Sequence, residues 1–217
     1  MRLRVKICCI KTRAESALAV SYGAAALGLV SEMPSGPGVI SDDAAREIAR
    51  SVPPAVASFL LTSRQSADQI IEQQHSIRPN TLQIVDRLTS GTYREIREAC
   101  PGIALVQVIH VQDEKSIEEA LRVAPAVDAI LLDSGNQRLA VKVLGGTGKT
   151  HDWTISRRIV EQAGKPIFLA GGLKPENVRA AAEQVRPFGL DVCSGVRAND
   201  ALDERKLAAF FEQLRDF

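Results

Sequence analysis

The sequence is poor in rings. Aromatic residues are 4% of its 217 positions, with one Trp and two Tyr, against 45% hydrophobic residues in all. A core must therefore be built from Ala, Val, Ile and Leu, which suits a parallel sheet buried on both faces. An excess of either charge is also missing, since 27 basic and 26 acidic residues leave a formal net charge of +1. That balance excludes an electrostatic case for nucleic acid or for an anionic membrane surface. An anionic ligand would have to be held locally, by backbone N–H groups and helix N-termini. The four cysteines, Cys8, Cys9, Cys100 and Cys193, show neither CxxC spacing nor a pairing pattern. The three histidines, His75, His110 and His151, are scattered, so no metal-ligand cluster is expected. No apolar run has the length of a bilayer, and the start from Met1 to Lys6 lacks a signal-peptide core and cleavage site. The expectation is a reduced, soluble, cytoplasmic protein with no membrane or nucleic-acid partner.

What is present is alternation. Strand-like runs are Val5–Ile10, Ala26–Val30, Ala55–Leu61, Thr81–Val85, Ile103–Ile109, Asp128–Asp133, Pro166–Ala170 and Gly189–Cys193. Helix-like stretches follow each, the second opened by Ser41-Asp42-Asp43 as an N-cap with acids in the first turn. Strict βα alternation calls for a parallel sheet. Eight units, with no Gly-x-Gly-x-x-Gly after the first strand, favour a closed (β/α)₈ TIM barrel over an open doubly wound sheet. One domain spanning residues 1–217 is expected. Function in such a barrel gathers at the C-terminal ends of the strands.

Cys8 ends the first strand. It reads either as a small buried hydrophobe or as a thiolate base, and the second role needs a depressed pKa. Lys6 shares its strand parity and is expected to line the same interior. Asp133 closes an apolar sixth strand, where it reads as a loop cap or as a general acid in an enclosed site. Gly145, Gly146, Thr147 and Gly148 lie in a long sixth loop that runs on into Lys149-Thr150. The glycine needed for a nucleoside-triphosphate loop is replaced by Val143, so the segment reads as a substrate-covering flap. Gly171-Gly172 after strand seven leads into a helix start at Pro175-Glu176-Asn177, and Ser194-Gly195 follows strand eight. Both pairs present unhindered N–H groups where barrels of this kind bind phosphate, so a small phosphorylated substrate is expected.

At these residues the chain resembles the phosphoribosylanthranilate isomerase family of the tryptophan pathway. The resemblance rests on Val5-Lys6-Ile7-Cys8, Leu131-Leu132-Asp133-Ser134, Gly145 to Trp153, Gly171 to Val178, and Val185 to Val196. It implies an Amadori rearrangement of N-(5-phosphoribosyl)anthranilate without cofactor or metal, in a monomer or homodimer. Asp133 would protonate the furanose ring oxygen, and Cys8 would remove the C2 proton. Gly171, Gly172, Ser194 and Gly195 would hold the phosphate.

The chain also departs from the family pattern. Cys9 stands in place of a glycine, Gly38 in place of an arginine that faces the anthranilate carboxylate, and Cys193 in place of a serine. Gln83-Ile84-Val85-Asp86 replaces Gln-Leu-His-Gly, and Arg197 replaces an acid. Lys11, Arg87 and Arg197 are candidates to meet the carboxylate instead. Two alternatives follow: the same chemistry on another phosphoribosyl amine, and a non-catalytic phosphosugar-binding barrel. A metal-dependent phosphopentose epimerase is disfavoured by the scattered histidines.

Overall fold

A computed structural model describes residues 3–34, 36–135 and 150–217. Eight parallel strands close on themselves: β1 (Arg4–Ile7), β2 (Ala26–Val30), β3 (Ala57–Thr62), β4 (Thr81–Ile84), β5 (Ala104–His110), β6 (Ala129–Asp133), β7 (Ile167–Leu169) and β8 (Gly189–Val192). The helices between and after them are α1 (Arg13–Ser21), α2 (Asp42–Ser51), α3 (Ala67–Ile77), α4 (Tyr93–Ala99), α5 (Lys115–Val123), α6 (Trp153–Gln162), α7 (Val178–Val185) and α8 (Glu204–Glu212). This is the (β/α)₈ barrel that the alternation predicts.

Local chemistry starts the helices. Ser41 accepts from the Ala44 N–H at the head of α2, and Thr92 with Glu95 forms a capping box on α4. Strand parity then sorts the apolar residues. Ile7, Leu27, Leu29, Leu60, Leu105 and Leu169 pack outward beneath the helices. Ala26, Phe59, Val106, Leu131, Phe168 and Cys8 form a separate cluster that fills the barrel. Phe168 meets Phe59 and Phe188 edge-on, with centroids 5.8 and 5.5 Å away. A few rings thus plug the lower barrel, where most other positions are aliphatic.

Two expectations are corrected. Pro175-Glu176-Asn177 is a turn ahead of α7 rather than its first turn, because the Asn177 side chain is used to tie that turn together. A two-stranded hairpin, β9 (Arg197–Ala198) with β10 (Ala201–Leu202), lies between β8 and α8 where no element is predicted. Its corner, Asn199-Asp200, has left-handed backbone at both residues.

Candidate active site

Closure of the barrel places β1 against β8, with Lys6 level with Asp191. Both point inward. The wholly buried Lys6 ammonium donates to Asp191 Oδ1 at 2.8 Å. An ammonium in such a place is tolerable only with a partner. Burial opposes its charge, but Asp191 and the neighbouring Cys8 outweigh that and hold Lys6 above the ordinary lysine value. Asp191 is itself pushed up by burial, an effect that Lys6 only partly offsets.

Cys8 lies two residues beyond Lys6 and is buried on the same face. Its N–H donates to the Val192 carbonyl at 2.8 Å, so the β1–β8 ladder still holds its backbone. Gly28 on β2 makes the room: a Cβ there would come within 2.8 Å of Cys8 Sγ and 3.0 Å of Lys6 Nζ. The thiol is pushed up to about 11, chiefly by burial, with Asp191 adding to the rise and Lys6 opposing it. This corrects the depressed pKa expected for a thiolate base. Lys6 does line the interior, but its hydrogen bond is directed to a carboxylate, and burial outweighs its help to the thiol.

Asp133 ends β6, half-buried, and its Oδ1 accepts from the Ser134 N–H at 2.7 Å. Beside it, His151 pairs through Nε2 with Ser156 Oγ at 2.7 Å, while its buried Nδ1 has no partner among the described residues. Burial lowers the His151 pKa, and the charges of Asp133 and Asp152 oppose that shift.

The turn after β7 needs its glycines. Gly171 and Gly172 have φ of +84° and +62°, a region costly for other residues. Asn177 staples the turn, accepting from the Lys174 N–H and donating to the Gly172 carbonyl. After β8 the chain makes a 3₁₀ turn, Ser194–Val196. Gly195 in it packs so closely on the Leu173 carbonyl that any Cβ would overlap it. The two turns therefore meet, and together they line a recess of about 390 Å³ that also takes in Lys174 and Lys206. Lys206 additionally donates to the Arg197 carbonyl at 2.7 Å.

The three cations proposed for a carboxylate are all engaged within the protein. Lys11 is paired with Asp200, and Arg87 holds Glu119 through two bonds of 2.8 Å. Arg197 is buried, bonded to Glu15 at 2.7 Å and to the Asp200 carbonyl at 2.9 Å. Its Nε and Nη1 have no partner among the described residues. Gly145, Gly146, Thr147 and Gly148 lie outside the described residues.

Several residues at this mouth escape a reading of the sequence. Asp191 carries only a weak signal, an acid between Leu190 and Val192 in an apolar strand. Gly28, Lys174 and Lys206 carry none. The cysteines require a correction as well, since Cys9 is joined to Cys193 by a disulfide across 184 residues of sequence. A pairing of this kind leaves no spacing pattern, because only closure of the barrel brings β1 to β8.

Ionisable side chains at the ends of β1 and β6, with two glycine turns after β7 and β8, define a (β/α)₈-barrel enzyme of the kind that works at its C-terminal mouth. The family model for N-(5'-phosphoribosyl)anthranilate (PRA) isomerase matches residues 5–213. The chain belongs to that family. A relative from Methanocella arvoryzae, named N-(5'-phosphoribosyl)anthranilate isomerase, is 37% identical over 213 residues, 98% of each chain. Another from Methanosarcina acetivorans is 34% identical, covering 99% of this chain and 94% of its own. The solved phosphoribosyl anthranilate isomerase of Thermotoga maritima superposes with a TM-score of 0.81 at 29% identity, covering 99% of this chain and all of that one. A further solved member of the family, in complex with reduced 1-(o-carboxyphenylamino)-1-deoxyribulose 5-phosphate, superposes with a TM-score of 0.78 at 27% identity and the same coverage.

Among the described residues, no helix is long and apolar enough to cross a membrane.

Proposed function

We propose that this barrel isomerises N-(5'-phosphoribosyl)anthranilate to 1-(o-carboxyphenylamino)-1-deoxyribulose 5-phosphate in the cytoplasm, as a step of tryptophan biosynthesis. The observation that carries this reading is the placing of Cys8, Asp133 and both glycine turns on one barrel mouth, in a chain of this family. The phosphate is held by the N–H groups around Gly171, Gly172, Ser194 and Gly195, of which the last three line the recess together with Lys174 and Lys206. Asp133 gives its proton to the furanose ring oxygen. The C1–O bond breaks and an iminium forms between C1 and the anthranilate nitrogen. Cys8, as thiolate, removes the C2 proton to give the enolamine, which tautomerises to the ketone. Nothing is gained or lost overall, so the reaction is an isomerisation. Each proton transfer by a positioned group is worth about 10²–10⁴-fold in rate.

The raised thiol means that the base is formed only when something stabilises it. Lys6 is the group in place to do so, and the cationic iminium adds a second positive charge above it. Lys6 and Asp191 act here as positioning residues for Cys8. The test is the loss of substrate fluorescence on mixing with purified protein. Turnover is expected from the intact chain and near-complete loss from Cys8→Ser and Asp133→Asn. Turnover that survives both substitutions refutes the assignment of acid and base.

Gly38 supports a second reading, the same chemistry on another phosphoribosyl amine. Its backbone lies against Cys9, so closely that a Cβ would overlap Cys9 Cβ, and no guanidinium extends from that position. A carboxylate would have to displace a protein partner from Lys11 or Arg87, or reach the buried Nε and Nη1 of Arg197. The Lys11–Asp200 pair, on an exposed Asp200, is the weakest of the three. A panel of phosphoribosyl amines decides, with the first reading requiring the highest kcat/KM for the anthranilate.

A further inference from the structure

The disulfide between Cys9 and Cys193 straps the loop after β1 to the turn after β8, with Cα atoms 6.0 Å apart. Its two halves differ in access. Cys9 is buried, whereas Cys193 is partly open to solvent. Cys193 immediately precedes Ser194 and is the N-cap of the 3₁₀ turn Ser194–Val196, whose Ser194 and Gly195 line the anion recess. Cys9 sits with left-handed backbone, φ +63°, and is backed by the second loop through Gly38. The Pro37 carbonyl is 3.6 Å from Cys9 Sγ, an acceptor that a thiol could use and a disulfide could not. Cys9 thus has one partner in each redox state: the sulfur of Cys193 when oxidised, the carbonyl of Pro37 when reduced.

We propose that Cys9 and Cys193 are a redox-active pair, a site of exchange with low-molecular-weight thiols and disulfides, that sets how firmly the turn after β8 holds an anion. In the forward direction the accessible Cys193 thiolate attacks a small disulfide, RSSR. One S–S bond breaks, one RS⁻ leaves as the first RSH, and a mixed disulfide remains on Cys193. The Cys9 thiolate then attacks the Cys193 sulfur and expels the second RSH. Two protein thiols are oxidised by two electrons, RSSR is reduced to two RSH, and the protons lost by the cysteines are those gained by the thiols. Cys8, the adjacent thiol, stays out of the exchange because it is buried against Gly28 and Lys6 and its pKa is pushed up to about 11. With the bridge closed, the Ser194–Val196 turn is tied to the β1 end of the barrel and its N–H groups are held ready. With the bridge open, that tie is lost and Cys9 turns to the second loop.

The effect on anion binding rests on the phosphate site proposed above; the exchange itself does not. The test uses the full chain equilibrated with oxidised or reduced glutathione, then alkylated and unfolded to count thiols. Two alkylated thiols are expected in the oxidised sample and four in the reduced one, with the lost pair mapping to Cys9 and Cys193. Calorimetric titration with inorganic phosphate should give about three- to tenfold tighter binding to the oxidised form, the gain expected from holding a binding turn in its bound shape. In Cys9→Gly/Cys193→Ser, or in Cys193→Ser alone, phosphate affinity should be the same in either buffer. An unchanged thiol count between buffers overturns the proposal, and so does a reversible bridge that leaves phosphate affinity unaltered. Redox-dependent phosphate binding by a protein without isomerase activity would instead count against the proposed reaction and uphold the pair.

Discussion

Replacing Lys6 with Met tests whether the buried ion pair serves the chemistry or only the fold. Methionine has similar length and apolar bulk, so the barrel interior stays filled while the cation goes. Lys6 is wholly buried and sits 2.8 Å from Asp191, so the substitution leaves a carboxylate in the interior without its partner. Breaking a buried pair from one side costs about 3–5 kcal/mol. That loss is to be read as a lower midpoint in guanidinium unfolding with the slope unchanged. The second variant is Lys6→Met/Asp191→Leu, which removes both charges and keeps the volume. Apolar replacement of a whole buried pair is often neutral or stabilising, so most of the lost stability should return.

Activity should not return with it. The Cys8 thiol lies near 11 in the intact protein, so at pH 8 only about one in a thousand is ionised. The rate at which a small alkylating reagent modifies Cys8, followed by peptide mapping, should therefore climb about tenfold per pH unit from pH 7 towards 10, because the thiolate is the reactive form and its fraction grows below its pKa. A neighbouring cation is worth about one to three pH units to an ionising group, so kcat at pH 8 should fall about 10- to 1,000-fold in Lys6→Met, and less far in the double variant, which also loses the Asp191 charge that raises the thiol. The rising limb of Cys8 alkylation should persist in Lys6→Met and move to higher pH. Stability recovered together with full kcat in the double variant would refute the role given to Lys6. Alkylation of Cys8 at the same rate from pH 7 to 10 in the intact enzyme would refute the raised thiol.

Three further outcomes follow from the same geometry. Gly28→Ala drives a methyl group to within 2.8 Å of Cys8 Sγ and 3.1 Å of the Cys8 Cα, so kcat should drop at least tenfold and stability by about 1–3 kcal/mol, measured by kinetics and denaturant unfolding. Gly195→Ala overlaps the Leu173 carbonyl and must part the two turns, so phosphate affinity by calorimetry should collapse while the far-ultraviolet spectrum stays that of the barrel. Reduction of the Cys9–Cys193 bridge releases a loop of 184 residues, which chain entropy values at about 5 kcal/mol; unfolding with and without reductant should show a loss of that order, and equal midpoints would rule out an intact bridge in solution.

Much of this architecture is written in local pattern. The eight apolar runs and the cap at Ser41 follow from short-range preferences, and all but the first strand, which ends at Ile7 rather than Ile10, lie within a residue or two of where those preferences put them. Cys8, Asp133 and the glycine turns are legible for the same reason: they stand at strand ends, and strand ends are visible in one dimension. The Pro175–Asn177 turn is less so, because Asn177 serves the Lys174 N–H and the Gly172 carbonyl, and which of a turn or a helix start wins depends on those partners.

The sequence by itself thus determined the order of elements, the shared inward face of Lys6 and Cys8 on the first strand, and where along the strands chemistry could sit. Only the tertiary structure decided which of those residues meet. Closing the sheet lays β8 beside β1, so Asp191 becomes the partner of Lys6 and Cys193 that of Cys9, at separations of 185 and 184 residues. It also decided the thiol's state. A sequence shows a lysine near a cysteine but not the desolvation around them, and it is burial that pushes Cys8 up to about 11 against the pull of Lys6.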